Sequence, residues 1–465
     1  MLSTGVVLFG SCGVRAPESR VSAVASMAPG SWHSSRAGRA GIDQSWIRRF
    51  GDAQLVALVE EGMAHNLDLR VAAERVRRAE AVARLSGAVR KPQVQGQISG
   101  SRIQQRFVGF PVPSGSSITD IYGASLDITW ELDVWGRLRA GQSAALGDLQ
   151  AQGFDYQAAR ASLAAQIAKT WFALGESNEQ IRLARAAIVV REKVALSIRE
   201  RFAEALVEEG GLGSQLRLAE SDLVTSRASL ARWQADRERV LRQVDLLVGR
   251  PPSGSSLTTR GLPKAPAPPP AGLPSELLLR RPDILAAERR YAAAGMRRKA
   301  ATQAKYPSFS LTGSRGTMTE NLHEVLSSKF GIWSLAGGVV QPILSGGRLR
   351  KEERIAGHDE RIALGQLQRA VLQGMGEVEQ ALIAEEYFGK REAMVADSAR
   401  LAHEAAGAAI QDFADGAVDA LTMLSAQDRK VQTAFQLAEL RRLRLDNRVN
   451  LHLALGGDFQ LRGKQ

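Results

Sequence analysis

The sequence has little cysteine, few catalytic motifs and no long apolar run, and each scarcity excludes a class of protein. A single cysteine, Cys12, among 465 residues excludes a disulfide framework and a cysteine-based zinc site. No apolar run approaches the roughly 18 residues that a membrane-spanning helix needs. The six histidines are scattered, and neither a nucleophile elbow nor a phosphate-binding loop is present. We therefore expect no catalytic site, no metal site and no cofactor.

Proline is missing from two long stretches of the chain. None lies between Pro113 and Pro251, and none follows Pro342. Because proline inside a helix costs about 3 kcal/mol, these stretches predict long helices. The segment from Pro263 to Pro274 is instead rich in proline and predicts an extended, semi-rigid connector that does not pack as an element. We accordingly expect two halves joined by a linker.

The two halves repeat each other with a long period. Asp68 and Asp283 each begin an Ala- and Arg-rich stretch that ends at a proline at the same distance, Pro92 or Pro307. Further matched landmarks follow in the same order: Gly136-Arg137-Leu138-Arg139 with Gly347-Arg348-Leu349-Arg350, Phe202 with Phe413, and Gly249 with Gly456. Matching landmarks in one order indicate an internal duplication.

Each half also contains stretches with the period-two alternation of β-strands. One predicted strand has an apolar face formed by Leu126, Ile128, Trp130, Leu132 and Val134. Its partner is predicted at 93–101, and the second half offers 308–314 and 332–344. Four such strands cannot close a barrel, so their apolar face would stay exposed in one chain. Strands from several chains could close it, and the alternation suits a barrel in a lipid bilayer.

Helical periodicity resumes after each Gly-Arg-Leu-Arg segment. It runs without proline from Arg139 to about Ala205, roughly 100 Å of helix at about 1.5 Å per residue, too long for the interior of a compact domain. Heptad spacing follows at Leu216, Leu223, Leu230 and Val244, at Ala219, Trp233, Val240 and Leu247, and again at Leu424, Val431, Ala438 and Leu445. These positions predict seams between packed helices.

Four segments carry a resemblance to a known family. They are ELDVWGRLR at 131–139, RPDILAAER at 281–289, QPILSGGRLR at 341–350 and FADGAVDAL at 413–421. From about Trp46 to Phe459 the chain resembles the TolC-like outer-membrane factors. Within that family it most resembles the lipoprotein branch that works with resistance-nodulation-division (RND) pumps.

The resemblance implies a mainly α fold with a membrane β part. Each chain of a homotrimer would contribute a duplicated unit of helix, β-hairpin and long helix pair, forming a twelve-stranded barrel continued by a long α-helical barrel. It implies a passive exit duct for small solutes such as drugs or metals, in the outer membrane of a Gram-negative bacterium. The partners would be membrane lipid, a periplasmic adaptor and an inner-membrane RND transporter.

The same resemblance divides the chain into segments. They are a remnant lipoprotein-type signal at 1–12, an extended N-terminal segment at 13–44, a first efflux repeat at 45–249, the Pro-rich linker at 250–273 and a second efflux repeat at 274–460. Cys12 follows a short apolar run that ends in small residues, and we expect it to carry lipid. An incidental thiol is the other interpretation.

Asp419 follows the turn between the last two long helices. At the matching family position an Asp points into the pore at its closed periplasmic end, and threefold symmetry would make a ring of carboxylates that attracts cations. The alternative is a helix N-cap, and one residue could serve both roles.

The first half departs from the family pattern at the equivalent turn. Ala205 stands where glycine is expected, and an insertion of four residues lies around 208–213. Leu67 also stands where proline is usual. We therefore transfer no adaptor contact onto this turn.

Three other functions remain as alternatives. A periplasmic adaptor has a single helical hairpin between split β-domains, which the duplication argues against. A type I secretion exit duct is a second alternative. The formal net charge of +12 invites a nucleic-acid-binding coiled coil, but the basic residues are spread along both halves instead of clustered, so we expect no nucleic acid partner.

Overall fold

The computed structural model describes residues 14–34, 46–106, 116–204, 212–253, 257, 259 and 261–457. Over these residues the chain forms helices and strands in this order: α1 Ala53–His65, α2 Leu67–Ala88, β1 Gln93–Arg106, β2 Ser116–Leu132, α3 Arg137–Glu204, α4 Leu212–Val248, α5 Leu277–Arg280, α6 Pro282–Gln303, β3 Ser308–Thr319, β4 Gly331–Val340, α7 Arg348–Ala414 and α8 Ala420–Ala454. Each half therefore runs from helix through two strands to a pair of long helices, as the sequence predicted. No helix within the described ranges is long and apolar enough to cross a membrane.

The strand boundaries differ from the prediction at several places, and β3 continues to Thr319, beyond the predicted end at residue 314. β1 continues to Arg106, beyond the predicted end at residue 101. β4 ends at Val340, short of the predicted 344, because Pro342 has no N–H for a ladder hydrogen bond. β2 ends at Leu132, so the assignment of Val134 to the strand was wrong.

The physical reason for the early end of β2 is a helix cap. The Asp133 carboxylate accepts hydrogen bonds from the backbone N–H groups of Leu138 (2.9 Å) and Arg139 (2.8 Å). These are orphan donors in the first turn of α3, and satisfying them turns the chain out of the strand before Val134.

The chain forms two compact units, and each unit draws on both halves of the sequence. The described residues of the first unit lie in 14–23, 75–153 and 286–368, and those of the second lie in 24–74, 154–285 and 369–457. The compact units are thus a different division of the chain from the sequence repeats.

The first unit contains a four-stranded antiparallel sheet in the order β1-β2-β3-β4. The central pairing, β2 with β3, joins the two halves of the chain, with Ile128 opposite Gly313 and Leu126 opposite Arg315. A Cβ atom at Gly316 would overlap the carbonyl oxygen of Ala124, so only glycine allows this close approach of the two strands.

The second unit contains the main hydrophobic core, between α1, α3, α4 and α8. Its largest fully buried side chains include Trp46, Trp171, Phe172 and Leu241. Asp52 caps α1 by accepting hydrogen bonds from the N–H groups of Gln54 and Leu55, and it also accepts one from Trp171 Nε1 (2.7 Å). One carboxylate therefore fixes both the start of a helix and one of the two fully buried tryptophans.

The heptad positions predicted from the sequence lie at helix contacts. Ala219, Val240 and Val244 are buried on α4, and Leu424, Ala438 and Leu445 are buried on α8. None of the remaining predicted seam residues is fully exposed: Leu216, Leu223, Leu230, Trp233, Leu247 and Val431 are partly buried. The prediction of helix-on-helix seams is confirmed.

The Pro-rich linker is extended, but it packs against the second unit, which the sequence did not predict. Leu262 and Ala265 contact the main core, and Ala271 is buried in a smaller cluster with Trp32 and Leu451. Trp32 Nε1 donates a hydrogen bond to the carbonyl oxygen of Gly272 (3.0 Å). The apolar residues between the prolines supply these contacts, so the segment is held along its length instead of spanning free space.

Candidate functional site

The strand register sorts the side chains of the sheet onto two chemically different faces. The polar face carries Gln93, Gln95, Gln97, Ser125, Asp127, Thr129, Ser310, Thr312, Ser314 and Ser334. The other face carries Val94, Ile98, Leu126, Ile128, Trp130, Leu311, Trp333, Leu335 and Val339. On this second face Leu335 is 69% exposed and Trp333 is 80% exposed in the single chain. The alternation predicted from the sequence therefore produces a sheet with one apolar surface that the described residues leave exposed.

The polar face is organised by side-chain hydrogen bonds. Ser125 Oγ donates to Asp127 (2.9 Å). At the end of the sheet where β2 leads into α3, Arg137 donates to both carboxylate oxygens of Glu131, at 2.7 and 2.8 Å. This face therefore offers hydroxyl, amide and carboxylate groups, as a water-facing surface does.

Aromatic side chains mark the end of the sheet where helices join the strands. Trp130 Nε1 donates to the carbonyl oxygen of Arg90, and Trp135 Nε1 donates to that of Pro307, both at 2.8 Å. The Trp135 and Tyr306 ring centroids lie 5.3 Å apart. Tryptophans with an apolar ring and one satisfied N–H are typical of the boundary between lipid and water.

The turn between α7 and α8 is closed by backbone bonds and by Asp419. Gly416 has a φ of 76°, a conformation that favours glycine, and the N–H of Ala417 donates to the Asp412 carbonyl oxygen (2.7 Å). Asp419 then caps α8, accepting a hydrogen bond from the Thr422 N–H at 2.8 Å. Hydrogen bonds from the hydroxyl and the N–H of Thr422 lower the pKa of Asp419, so this exposed carboxylate stays ionised.

Neighbouring helices of the second unit hold this turn in place. A small apolar cluster joins α3, α4, α7 and α8 through Val194, Ala195, Ile198, Ala219, Ala409, Ala420, Met423 and Leu424, with Phe413 packed against it. Gln427 donates to the Ala406 carbonyl oxygen (2.8 Å), and Arg191 on α3 pairs with Asp428 on α8. The turn is therefore fixed to both long helix pairs.

A partly buried ionic network links α3 to α8 farther from the turn. Arg442 bridges the carboxylates of Glu176 and Asp446, and Lys169 donates to the side chain of Asn450. Burial raises the pKa of Asp446 to about 6, even though the positive charges of Arg442 and Lys169 act in the opposite direction. Burial also lowers the pKa of Lys169.

A second network joins α7 to α8. Arg448 is fully buried and pairs with Glu385, which also pairs with Arg444 (3.2 Å). Burial lowers the pKa of Arg448, the attraction of Glu385 acting against it. Neither network was predicted from the sequence. Arginine and glutamate recurring along α8 and α7 were the only signal, and this pattern does not distinguish buried pairs from exposed ones.

The two residues singled out from the sequence have different outcomes. Asp419 lies where the prediction placed it, after the α7–α8 turn, and its N-cap role is shown by the hydrogen bond to Thr422. Its role in a pore stays a prediction. Cys12, Ala205 and most of the insertion at 208–213 lie outside the described residues. Within the described ranges no group of acidic, histidine or cysteine side chains could hold a metal ion.

Comparisons with known proteins give the class and then the family. The outer-membrane channel OprN has a similar structure, with a TM-score of 0.87 at 26% identity, covering 96% of this chain and all of that chain. The open state of the MtrE outer membrane channel of Neisseria gonorrhoeae gives a TM-score of 0.82 at 25% identity over 96% of this chain and 99% of that one. A fold shared to this extent defines an outer-membrane channel.

Sequence comparison agrees with the structures. The pyoverdine export outer membrane protein OpmQ of Pseudomonas putida is 29% identical over 446 residues, or 93% of this chain and 92% of that protein. The cation efflux system protein CusC of Escherichia coli K12 is 27% identical over 423 residues, or 89% and 88% of the two chains. The outer membrane efflux protein family model matches residues 58–250 and 273–457. The chain belongs to that family.

Membership of the family confirms the main functional prediction. The protein is an outer-membrane channel subunit of a tripartite efflux pump and is not an enzyme. It acts in the outer membrane of a Gram-negative bacterium together with adaptor and inner-membrane pump proteins. The adaptor and nucleic-acid alternatives are not supported.

Proposed function

We propose that three copies of this chain form a passive exit duct for small solutes. Their twelve strands would close a barrel in the outer membrane, with the polar face inside and the apolar face against lipid. The observation that carries the proposal is the separation of the two faces by the strand register. The edge strands support the proposal. Over the described residues β1 and β4 each pair on one side only, and the unpaired N–H and C=O groups of an edge strand can pair with a strand of another chain.

The duct would serve an RND-type transporter through a periplasmic adaptor. The relatives carry names that specify pyoverdine export, solvent and toluene efflux, and cation efflux. Cargoes this different are consistent with a duct that accepts what the transporter below it delivers. We infer the same for this chain, with small solutes such as drugs or metals as the cargo. No observation favours the type I secretion alternative.

We further propose that Cys12 carries a lipid anchor, which the apolar run before it supports. The expected result is that Cys12→Ser protein loses a mass adduct of acyl chains and fractionates less completely with the outer membrane. Wild-type protein without any acyl adduct would contradict this anchor and leave the duct proposal intact.

The chain organisation proposed from the sequence stays a proposal. The efflux repeats would span 45–249 and 274–460 with the linker at 250–273, a division that the two matched segments of the family model support. The N-terminal segment at 13–44 would connect the anchor to the first repeat.

The decisive experiment combines assembly and conductance. Outer-membrane protein analysed on a denaturing gel without heating should migrate as a trimer that heat converts to monomer. The same preparation in a planar bilayer should open channels. A monomer in the soluble fraction, or a trimer without conductance, would contradict the proposal.

A further inference from the structure

One of the arginines on the apolar face of the sheet, Arg315, has mainly apolar neighbours. Arg315 is on β3, and the register places it opposite Leu126 of β2 on one side and Trp333 of β4 on the other. The next residues on the same face towards the helices are Gly313, Ile128 and Leu335. Arg315 therefore belongs to the apolar face and not to the polar one.

Within the β3–β4 hairpin Arg315 lies nearer the end away from the helices, although β1 and β2 continue beyond its level to Arg106 and Ser116. Helix α6 leads into the start of β3 and α7 follows the end of β4, so the β3–β4 connection lies at the opposite end. Arg315 is closer to Thr319, where β3 ends, than to Ser308, and Trp333 lies just after the start of β4. In an outer-membrane channel whose helices are periplasmic, the loop end faces the outer leaflet, and the long side chain of Arg315 can extend towards it from within the apolar face.

The protein supplies no negative partner for this arginine in the described part of the chain. Arg315 is exposed and forms no ion pair or hydrogen bond there. The acidic residue on the same face, Asp120, pairs with Arg102 of β1 at 3.6 Å. Since a guanidinium among apolar groups needs an anion or water, its partner must come from the surroundings.

We propose that Arg315 and Trp333 form a binding site for the phosphate of an anionic lipid in the outer leaflet, resting on the membrane-facing assignment of this surface in the proposed trimer. A planar guanidinium binds a phosphate through two parallel N–H bonds. The tryptophan ring would pack beside the acyl chains of the same lipid. Arg106, farther along the same face of β1 than the Arg102–Asp120 pair, adds positive charge towards the loop end.

The test uses the full-length trimer, stripped of bound lipid in detergent and first verified on an unheated gel. The probes are diphosphorylated lipid A and the same lipid without phosphates, and native mass spectrometry counts the bound lipid. Wild-type protein should prefer the phosphorylated probe. Arg315→Leu should bind it about fivefold more weakly, the effect of one arginine at a charged membrane surface, while Arg315→Lys retains most of the binding.

A matched control and a competitor make the result specific. Arg350→Leu removes another exposed arginine on α7, outside the strands, and should leave lipid A binding unchanged. Inorganic phosphate should compete only weakly, because the acyl chains contribute to binding. Equal affinity of wild type and Arg315→Leu for the phosphorylated probe would overturn the site, as would equal binding of the two probes by wild type. Loss of the trimer before any lipid is added to wild type would contradict the proposed function instead.

Discussion

The sheet of the first unit and the helical core of the second unit differ in how far they expose tryptophan side chains. Trp171 in the core is 1% exposed and its indole N–H is bonded to Asp52, whereas Trp333 on the sheet is 80% exposed in the single chain. The core buries its apolar surface within one chain, but the sheet leaves a whole apolar face uncovered. This difference indicates that the helices have their own source of stability, while the sheet would be covered by lipid and by other copies in the proposed trimer.

The largest effect is expected from removing the core tryptophan. Trp171→Ala should destabilise the protein by about 3–5 kcal/mol through the cavity it leaves. Trp333→Ala is the matched control and should change thermal unfolding of the helices little, as followed by circular dichroism at 222 nm. A similar loss of stability in the two variants would mean that the sheet and the helical core unfold as one cooperative unit.

The next effect tests the two faces of one strand. Leu335 and Ser334 are neighbours on β4 that lie on opposite faces of the sheet. Leu335→Lys should cost about 2–4 kcal/mol in the membrane if this face meets the middle of the bilayer, and about 0–1 kcal/mol near its edge. Ser334→Lys should be tolerated on the polar face. The yield of heat-sensitive trimer in outer membranes measures the effect of each substitution. Equal yields of the two variants would contradict the assignment of lipid to the apolar face.

A smaller effect concerns the buried carboxylate in the helical core. The pKa of Asp446 is raised from 3.8 to about 6 by burial, so the folded protein binds a proton more tightly than the unfolded chain. Stability should therefore fall as pH rises from about 4 to about 6, by on the order of 2–3 kcal/mol, and the cost should persist above pH 6.

Asp446→Asn should remove this pH dependence from the thermal midpoint of the trimer. The control is Asp397→Asn, which changes an exposed carboxylate on α7 and should leave the dependence intact. If the thermal midpoint of Asp446→Asn still decreases as the pH rises from 4 to 6, as it does in the wild type, another group is responsible for the pH dependence.

The smallest effect separates the two roles of Asp419. Asp419→Ala should lose about 1 kcal/mol of helix capping and any effect of the charge, whereas Asp419→Ser keeps a cap and removes only the charge. A pore role predicts a lower cation preference for both variants in planar bilayers. Unchanged selectivity in Asp419→Ser would leave Asp419 as a cap alone.

The sequence predicted the elements well because their periodicities are strong. Period-two alternation located the four strands, and proline-free stretches located α3, α4, α7 and α8. The end of β2 was missed because it depends on Asp133 accepting hydrogen bonds from the first turn of α3, and strand alternation gives no sign of that cap. The register was not predictable either, so the place of Arg315 beside Trp333 had no signal in the sequence.

The ionic networks show the same limit for the candidate site. Arg442 and Glu176 form an ion pair although they are far apart in sequence, and no local sequence pattern predicts such a pair. Arginine and glutamate are also so common in the helices that the few in buried pairs cannot be told from the rest. Asp419 could be located because it lies directly after a helix-breaking turn with glycine. Whether its charge also faces a pore depends on how several copies of the chain assemble, and one sequence does not specify that arrangement.

The pairing of β2 with β3 has a consequence for how the protein folds. Tyr122 and Thr319 become neighbours in the sheet although roughly 200 residues separate them, which is a very long loop to close. The helices contain mostly local contacts and can form early, but the sheet cannot exist until most of the chain has been synthesised and exported. We expect a long-lived, partly helical intermediate with exposed strands, which would need protection from aggregation on its way to the membrane.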